Sequence, residues 1–362
     1  MRTLSVISVL FFMFQTGRAQ TEQERYDQAF ERIECMLLET CGASFKDAVF
    51  EVESAYLNGQ LNKQEFDKSV GFLVNLVTQL TISQDLIYDM PDKDKVIKYA
   101  ALFTAMTDTV RVQLDSSTML ILLPFTYDFD DVWGNQEWSN MFVSKLLDTK
   151  KGNCHSLPFL YKILAEEIGV NAHLAVAPNH FYIKHQSKAS GWYNTELTSG
   201  IFPIDAWLMA SGYIHLDAIV NRLYMEALND KQTLAILLID LAKGYERQLG
   251  SQAKPEFIEK CYTTTLEYYP HYINALLLQA EQTKKRFDRL MVKHGATHPS
   301  EIFHVREAQE TYQEMTLLYA HIHELGYRKM PEEMYLNWLV SLKEERSKYE
   351  NKEISIFKSQ TN

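Results

Sequence analysis

GNCHSLPFLYKILAEEIGVNAHLAVAPNHFYIKHQSKASGWYNTELT, residues 152–198, is the stretch on which the architecture turns. Asn153 is a good N-cap, and Leu157, Tyr161, Leu164 and Ile168 follow at helical spacing. The spacing predicts a helix over residues 154–168, stopped by Gly169. The period then drops from 3.6 to 2. Ala172, Leu174 and Val176 alternate, and Pro178-Asn179 interrupts them. Phe181, Ile183 and His185 then alternate against His180, Tyr182 and Lys184. Residues 187–191 read as a turn and 192–198 as another strand. A helix followed by antiparallel strands predicts an α+β core.

Outward from this segment the pattern is helical. Upstream, residues 139–147 form a helical piece and residues 150–153 a loop. The acidic, aromatic residues 127–131 read as a solvated turn or the rim of a cleft, since they lack the Gly and spaced acceptors of a calcium loop. Nearer the N-terminus, residues 44–47 resemble a capping box, followed by Phe45, Val49, Val52 and Tyr56 at helical spacing. Asn58-Gly59 ends that helix. Another begins near Lys63 with Phe66, Val70, Leu73, Val74 and Val77 on one stripe, and Met90-Pro91-Asp92 is a turn. From about residue 215 helices return over 234–248, 255–268, 271–285, 307–325 and 331–348. The expected organisation is a leader (1–19), an N-terminal helical region (20–95), a core (96–214), a C-terminal helical region (215–350) and a tail (351–362).

Composition narrows the class. At 362 residues the chain suits two or three modules, and only 14 Gly and 9 Pro argue for long helices over a Gly-rich sandwich. A net charge of −11 gives no footprint for a phosphate backbone, so nucleic acid is not an expected partner. No stretch in the body of the chain is apolar enough to predict a membrane span. At the start, Arg2, the apolar residues 4–14 and the small residues Gly17 and Ala19 have the layout of a cleaved secretory signal peptide, which predicts a secreted or periplasmic protein. In an oxidising compartment Cys35 and Cys41 can bridge. On one continuous helix their spacing of six would instead put them on different faces. Cys261 lies in an apolar helical pattern and reads as a core residue.

The chemistry concentrates on Cys154 and His180. A thiol is a weak nucleophile until ionised, and its free pKa is about 8.5. A cysteine in the first turn of a helix meets unpaired N–H groups and the positive dipole end, both favouring thiolate. A histidine alongside takes the proton and returns it to a leaving amine. Its far nitrogen needs an acceptor, and Asn194 and Glu196 share one strand face from which either can reach it.

Gly152-Asn153-Cys154-His155-Ser156-Leu157, then Tyr161 and Leu164, then Ala177-Pro178-Asn179-His180-Phe181-Tyr182-Ile183, resemble the transglutaminase-like superfamily of the papain-like cysteine-protease type. In that superfamily a cysteine opens a helix after a Gly-x-Cys turn and a histidine starts a strand. Trp192, Glu196 and Thr198 match a frame in which the family carries Trp, an Asp four residues on and a Thr two beyond. The Pro-x-His signature and Leu146-Leu147 ahead of Gly152 are similar to the bacterial SirB-like branch, whose cores are joined to tetratricopeptide-like helices. The resemblance covers roughly residues 125–205. It implies a nucleophile helix packed on an antiparallel sheet, flanked by helical regions, and a triad of Cys154, His180 and Glu196. Asn194 is the alternative third member, as an amide is in papain-like relatives. Relatives place a Trp or Gln upstream as oxyanion donor, so Trp133, Gln136 and Trp138 are candidates.

The expected function is a cysteine enzyme acting on amide or peptide bonds of a peptide or protein through a thioester, by hydrolysis or acyl transfer. The alternative is an inactive scaffold whose C-terminal helices bind a protein partner. A third reading makes the core a spacer between working helices. No cofactor is expected, nor a metal, because His155, His173, His180 and His185 fit no standard zinc spacing. His155 itself reads as a surface or supporting residue.

Overall fold

The computed structural model describes residues 21–83, 85–113 and 117–344. The leader expected over residues 1–19 and the tail expected over 351–362 lie outside them. The fold is α+β, with thirteen α-helices and seven short strands among the described residues. Four helices come first: α1 (Glu22–Leu37), α2 (Phe45–Tyr56), α3 (Lys63–Ser83) and α4 (Lys93–Thr107). An antiparallel hairpin, β1 (Val110–Gln113) and β2 (Met119–Leu122), follows. Next come β3 (Thr126–Tyr127), α5 (Val143–Thr149) and β4 (Lys151–Gly152), with β4 parallel to β3. Then come α6 (Ser156–Glu167) and the central sheet, β5 (His173–Ala177), β6 (His180–Ser187) and β7 (Gly191–Thr195). Seven helices close the described chain: α7 (Asp205–Ser211), α8 (Leu216–Val220), α9 (Asp230–Leu249), α10 (Pro255–Tyr268), α11 (Ile273–Lys293), α12 (Arg306–Glu324) and α13 (Glu332–Glu344).

Helix α6 is the spine. Ten consecutive residues, Ser156 to Ala165, are buried, because strands cover one side of it and helices the rest. Its Phe159 ring packs on Phe181 of β6 at 5.6 Å and on Phe45 of α2 at 5.3 Å. Both of the alternating sets in β6 are buried, with Gln186 the exception, and α6 packs against one face through Phe159 and Phe181. Lys184 survives there by pairing with Asp205, and Lys162 inside α6 by pairing with Glu166 and Asp230.

The flanking helices share one continuous core with the sheet region. Tyr26 of α1 meets Tyr245 of α9 edge-on, with ring centres 5.0 Å apart. Cys35 and Cys41 form a disulfide. The continuous-helix geometry that would separate them does not apply, because α1 ends at Leu37 and Glu39 takes a left-handed turn. No helix among the described residues is long and apolar enough to cross a membrane.

Candidate active site

The turn that carries Cys154 is built before α6 proper begins. The helix starts at Ser156, two residues later than its spacing suggests, with His155 at the N-cap position, and Asn153 organises the turn ahead of it. Asn153 Oδ1 accepts from the backbone N–H of His155 at 3.0 Å and of Ser156 at 3.3 Å. Ser156 Oγ in turn accepts from Asn153 N–H at 3.1 Å and donates to the Asn140 carbonyl at 3.2 Å. Gly152 is demanded by this packing: a Cβ there would lie 2.4 Å from Ser156 Oγ and 2.8 Å from the Leu146 side chain. Cys154 is thereby held at the mouth of α6, with Sγ 3.6 Å from the Asn179 carbonyl oxygen. Asn179 sits in the left-handed region at φ 57°, closing the two-residue turn between β5 and β6.

His180 opens β6 directly after that turn. Its Nε2 donates to Glu196 Oε2 at 2.6 Å. The other Glu196 oxygen accepts from Thr198 N–H at 2.8 Å, which fixes the carboxylate. On the opposite side of the imidazole, Nδ1 lies 3.3 Å from the hydroxyl of Tyr335, and that hydroxyl donates to Cys154 Sγ at 3.3 Å. The ring therefore has an acceptor at one nitrogen and the thiol side at the other, the polarity a base needs.

Electrostatics follow from this placement. Burial alone would push the Cys154 thiol up, but the His180 charge and hydrogen bonds from His180 and Tyr335 outweigh it and hold the thiol below its ordinary value. Burial alone would push His180 down, but the Glu196 and Cys154 charges outweigh it and raise the imidazole well above its usual range. Both shifts run in the direction that favours thiolate with imidazolium.

A second imidazole stands beside the sulfur. His155, buried rather than on the surface, has Nδ1 2.9 Å from the Met141 carbonyl and Nε2 2.9 Å from Asp240 Oδ2 of α9. Both neighbours are acceptors, so both nitrogens carry protons. Burial would lower His155, but the Asp240 charge prevails and raises it. His185 behaves oppositely: packed on Tyr99 and bonded to the Tyr161 hydroxyl, it is pushed by burial to about 3 and stays neutral in the core.

Of the residues singled out by sequence, Cys154, His180 and Glu196 come together, and Trp133 joins them. The Trp133 ring packs at a tilt against that of Tyr335, with centres 4.7 Å apart, and its Nε1 is buried without a hydrogen-bond partner. Asn194 does not reach His180. It lies opposite Lys184, four residues along β6 from His180, and its amide donates to the Pro203 carbonyl at 2.9 Å and to Asp205 at 2.7 Å. Glu196 falls one step beyond the last ladder pair, Ile183 with Thr195, so the register carries it to Tyr182, two residues from His180 and on the same face. Gln136 is exposed, and its backbone N–H bonds Asp131. Trp138 turns toward α9, where the Arg247 guanidinium covers its ring. Residues 127–131 divide: Tyr127 is buried near Cys154 and Tyr335 without a well-directed hydrogen bond. Asp131 organises its own loop by accepting from Asn135, Glu137 and Asn140. Tyr335, Trp338 and Asp240 are additions that no local motif announces. Among the described residues no group of three His, Cys, Asp or Glu side chains is placed to hold a metal ion.

Comparison with known proteins returns no relative: no family model, curated protein or solved structure matches this chain.

Proposed function

We propose that the chain is an exported, transglutaminase-like cysteine enzyme that acts on amide or peptide bonds, with Cys154 as nucleophile, His180 as acid and base, and Glu196 as the acceptor that orients it. The Cys154 thiolate attacks the carbonyl carbon, the C–N bond breaks, and His180 gives its Nδ1 proton to the departing amine. The thioester is then released by water or by an amine, whose proton returns to His180. Trp133 Nε1–H and the Cys154 backbone N–H are the donors assigned to the developing oxyanion. The observation that carries this reading is the polarised imidazole, with Glu196 at 2.6 Å on one nitrogen and the sulfur side on the other.

The test is the pH profile of Cys154 alkylation by iodoacetamide, followed by peptide mass spectrometry with Cys261 as internal reference. Burial pushes Cys261 far above the ordinary thiol range. Cys154 is expected to show a midpoint below the ordinary thiol value, and His180→Ala to move it up toward that value. A Cys154 midpoint near about 8.5 that ignores His180→Ala would overturn the reading.

One observation favours a second reading, a non-catalytic core whose helices bind a partner protein. The Cys154–His180 pair is sealed: Cys154 is 8% exposed and His180 2%. A thiol with an ordinary midpoint would support it.

A further inference from the structure

The seal over the site is α13 itself. Tyr335, Trp338, Leu339 and Leu342 recur at i, i+3, i+4 and i+7 and are all buried, while Met334, Leu336 and Val340 on the other side are exposed. Tyr335 enters between the catalytic side chains, its hydroxyl 3.3 Å from Cys154 Sγ and 3.3 Å from His180 Nδ1. Trp338 lies edge-on over the imidazole, with ring centres 4.8 Å apart, and its Nε1 donates to Ser211 Oγ at 3.1 Å. Nucleophilic attack needs a carbonyl carbon about 3–3.5 Å from the sulfur and an amine leaving toward the imidazole. The Tyr335 hydroxyl holds that ground. In this form no amide carbonyl can reach the sulfur to acylate it.

The attachment of α13 is suited to release. Its predecessor is pinned: a Cβ on Gly326 would lie 2.5 Å from the Ala218 backbone nitrogen, and Leu325 is buried. Residues 327–331 then run without helix or strand to α13. The Trp133 indole N–H next to the Tyr335 ring stays unpaired while the helix is seated, although a buried donor normally finds an acceptor. A substrate carbonyl in place of the Tyr335 hydroxyl would supply one.

We propose that α13 is a stopper of the active site, which opens by swinging about residues 327–331 and whose Tyr335 and Trp338 occupy the ground an aromatic-bearing peptide substrate takes when bound. The inference rests on Cys154 being the nucleophile. It adds that the resting enzyme is closed, and that an amphipathic peptide with aromatic side chains three residues apart competes for the same groove.

Alkylation of the full chain tests it, read at Cys154 against Cys261. Tyr335→Ala and Trp338→Ala are each expected to raise the Cys154 rate at least tenfold with Cys261 unchanged, and Tyr335→Phe, which keeps the ring, only a few-fold. A synthetic peptide of residues 331–344 added to Tyr335→Ala is expected to slow Cys154 again. Cys154 rates within twofold of wild type in both alanine variants would overturn the proposal. If both cysteines become reactive together the variant has unfolded, and hydrogen exchange on the unaltered protein decides instead. Amides of α13 should exchange at least tenfold faster than those of α9, and equal protection would overturn the stopper. Failure of the enzyme reading looks different: Cys154 opens in Tyr335→Ala, but its midpoint is that of an ordinary thiol and is indifferent to His180→Ala.

Discussion

Two histidine–carboxylate pairs act on one sulfur, His180–Glu196 fully buried and His155–Asp240 partly so, and only the first has a proton-exchanging group at its second nitrogen. His180 with Glu196 and His155 with Asp240 have similar separations, 2.6 and 2.9 Å. Both imidazoles are raised, because burial is outweighed by the partner's charge, and both hold the Cys154 thiol down. The difference lies at the second nitrogen. His180 Nδ1 faces a hydroxyl and the thiol, groups that exchange protons, whereas His155 Nδ1 ends on the Met141 carbonyl. A carbonyl accepts a hydrogen bond and returns nothing. Perturbed titration therefore marks both residues as coupled to the sulfur, and the far-side partner separates the base from the fixed cation.

The sharpest way to break this comparison is to delete each imidazole. With access opened by Tyr335→Ala, His180→Ala should slow Cys154 alkylation at pH 7 by about tenfold or more, one pKa unit being a factor of ten. His155→Ala should slow it only a few-fold. Its larger effect is on stability, where leaving Asp240 against an emptied site costs about 2 kcal/mol, read by urea unfolding. If both deletions slow the thiol equally, the distinction fails.

Charge removal at the carboxylates comes next. The sign is fixed by the directions of shift: Cys154 is lowered and His180 raised, so the ion pair forms as pH rises through the thiol value and is lost only as pH rises through the imidazole value. Glu196→Gln removes the charge that raises His180. It should therefore bring the upper limb down and move the alkylation midpoint up. Asp240→Asn should shift the midpoint less, since His155 acts on the sulfur only through its charge. A rate-versus-pH series on the two variants reads both limbs, and superimposable curves would remove the difference between the pairs.

The smallest expected effect is at Asn194. Asn194→Ala should leave the alkylation profile unchanged and cost about 1 kcal/mol in urea unfolding, through the lost bonds to Pro203 and Asp205. A shifted midpoint would return Asn194 to the site.

How far the site could be read from sequence depends on the range of the interaction. Cys154, His180 and Glu196 are ordered by local rules: a capped turn, a period change and a strand partner within sixteen positions of the histidine. Register was the weak link. Asn194 and Glu196 share a face, and only the pairing of Lys184 with Asn194 shows that Glu196 is the one nearer His180. Tyr335 lies 181 positions from Cys154, so its stripe was legible as a helix needing cover but not as the cover of this pair. Helix α4 left no such stripe: Tyr99 to Phe103 are all buried, so apolar residues run on and the period blurs. Asp240 lies 85 positions from its partner His155, so no local pattern links the two.

The link from His155 to Asp240 also bears on how such a chain can be taken apart. Helix α9 rests on α1 through the Tyr245–Tyr26 contact, and it supplies the anion that answers His155, the residue next to Cys154. The sulfur-bearing turn is therefore not a cassette. Transplanted without its outer scaffold, it would carry a stranded cation, and the borrowed framework would have to furnish a counter-ion at the same spot.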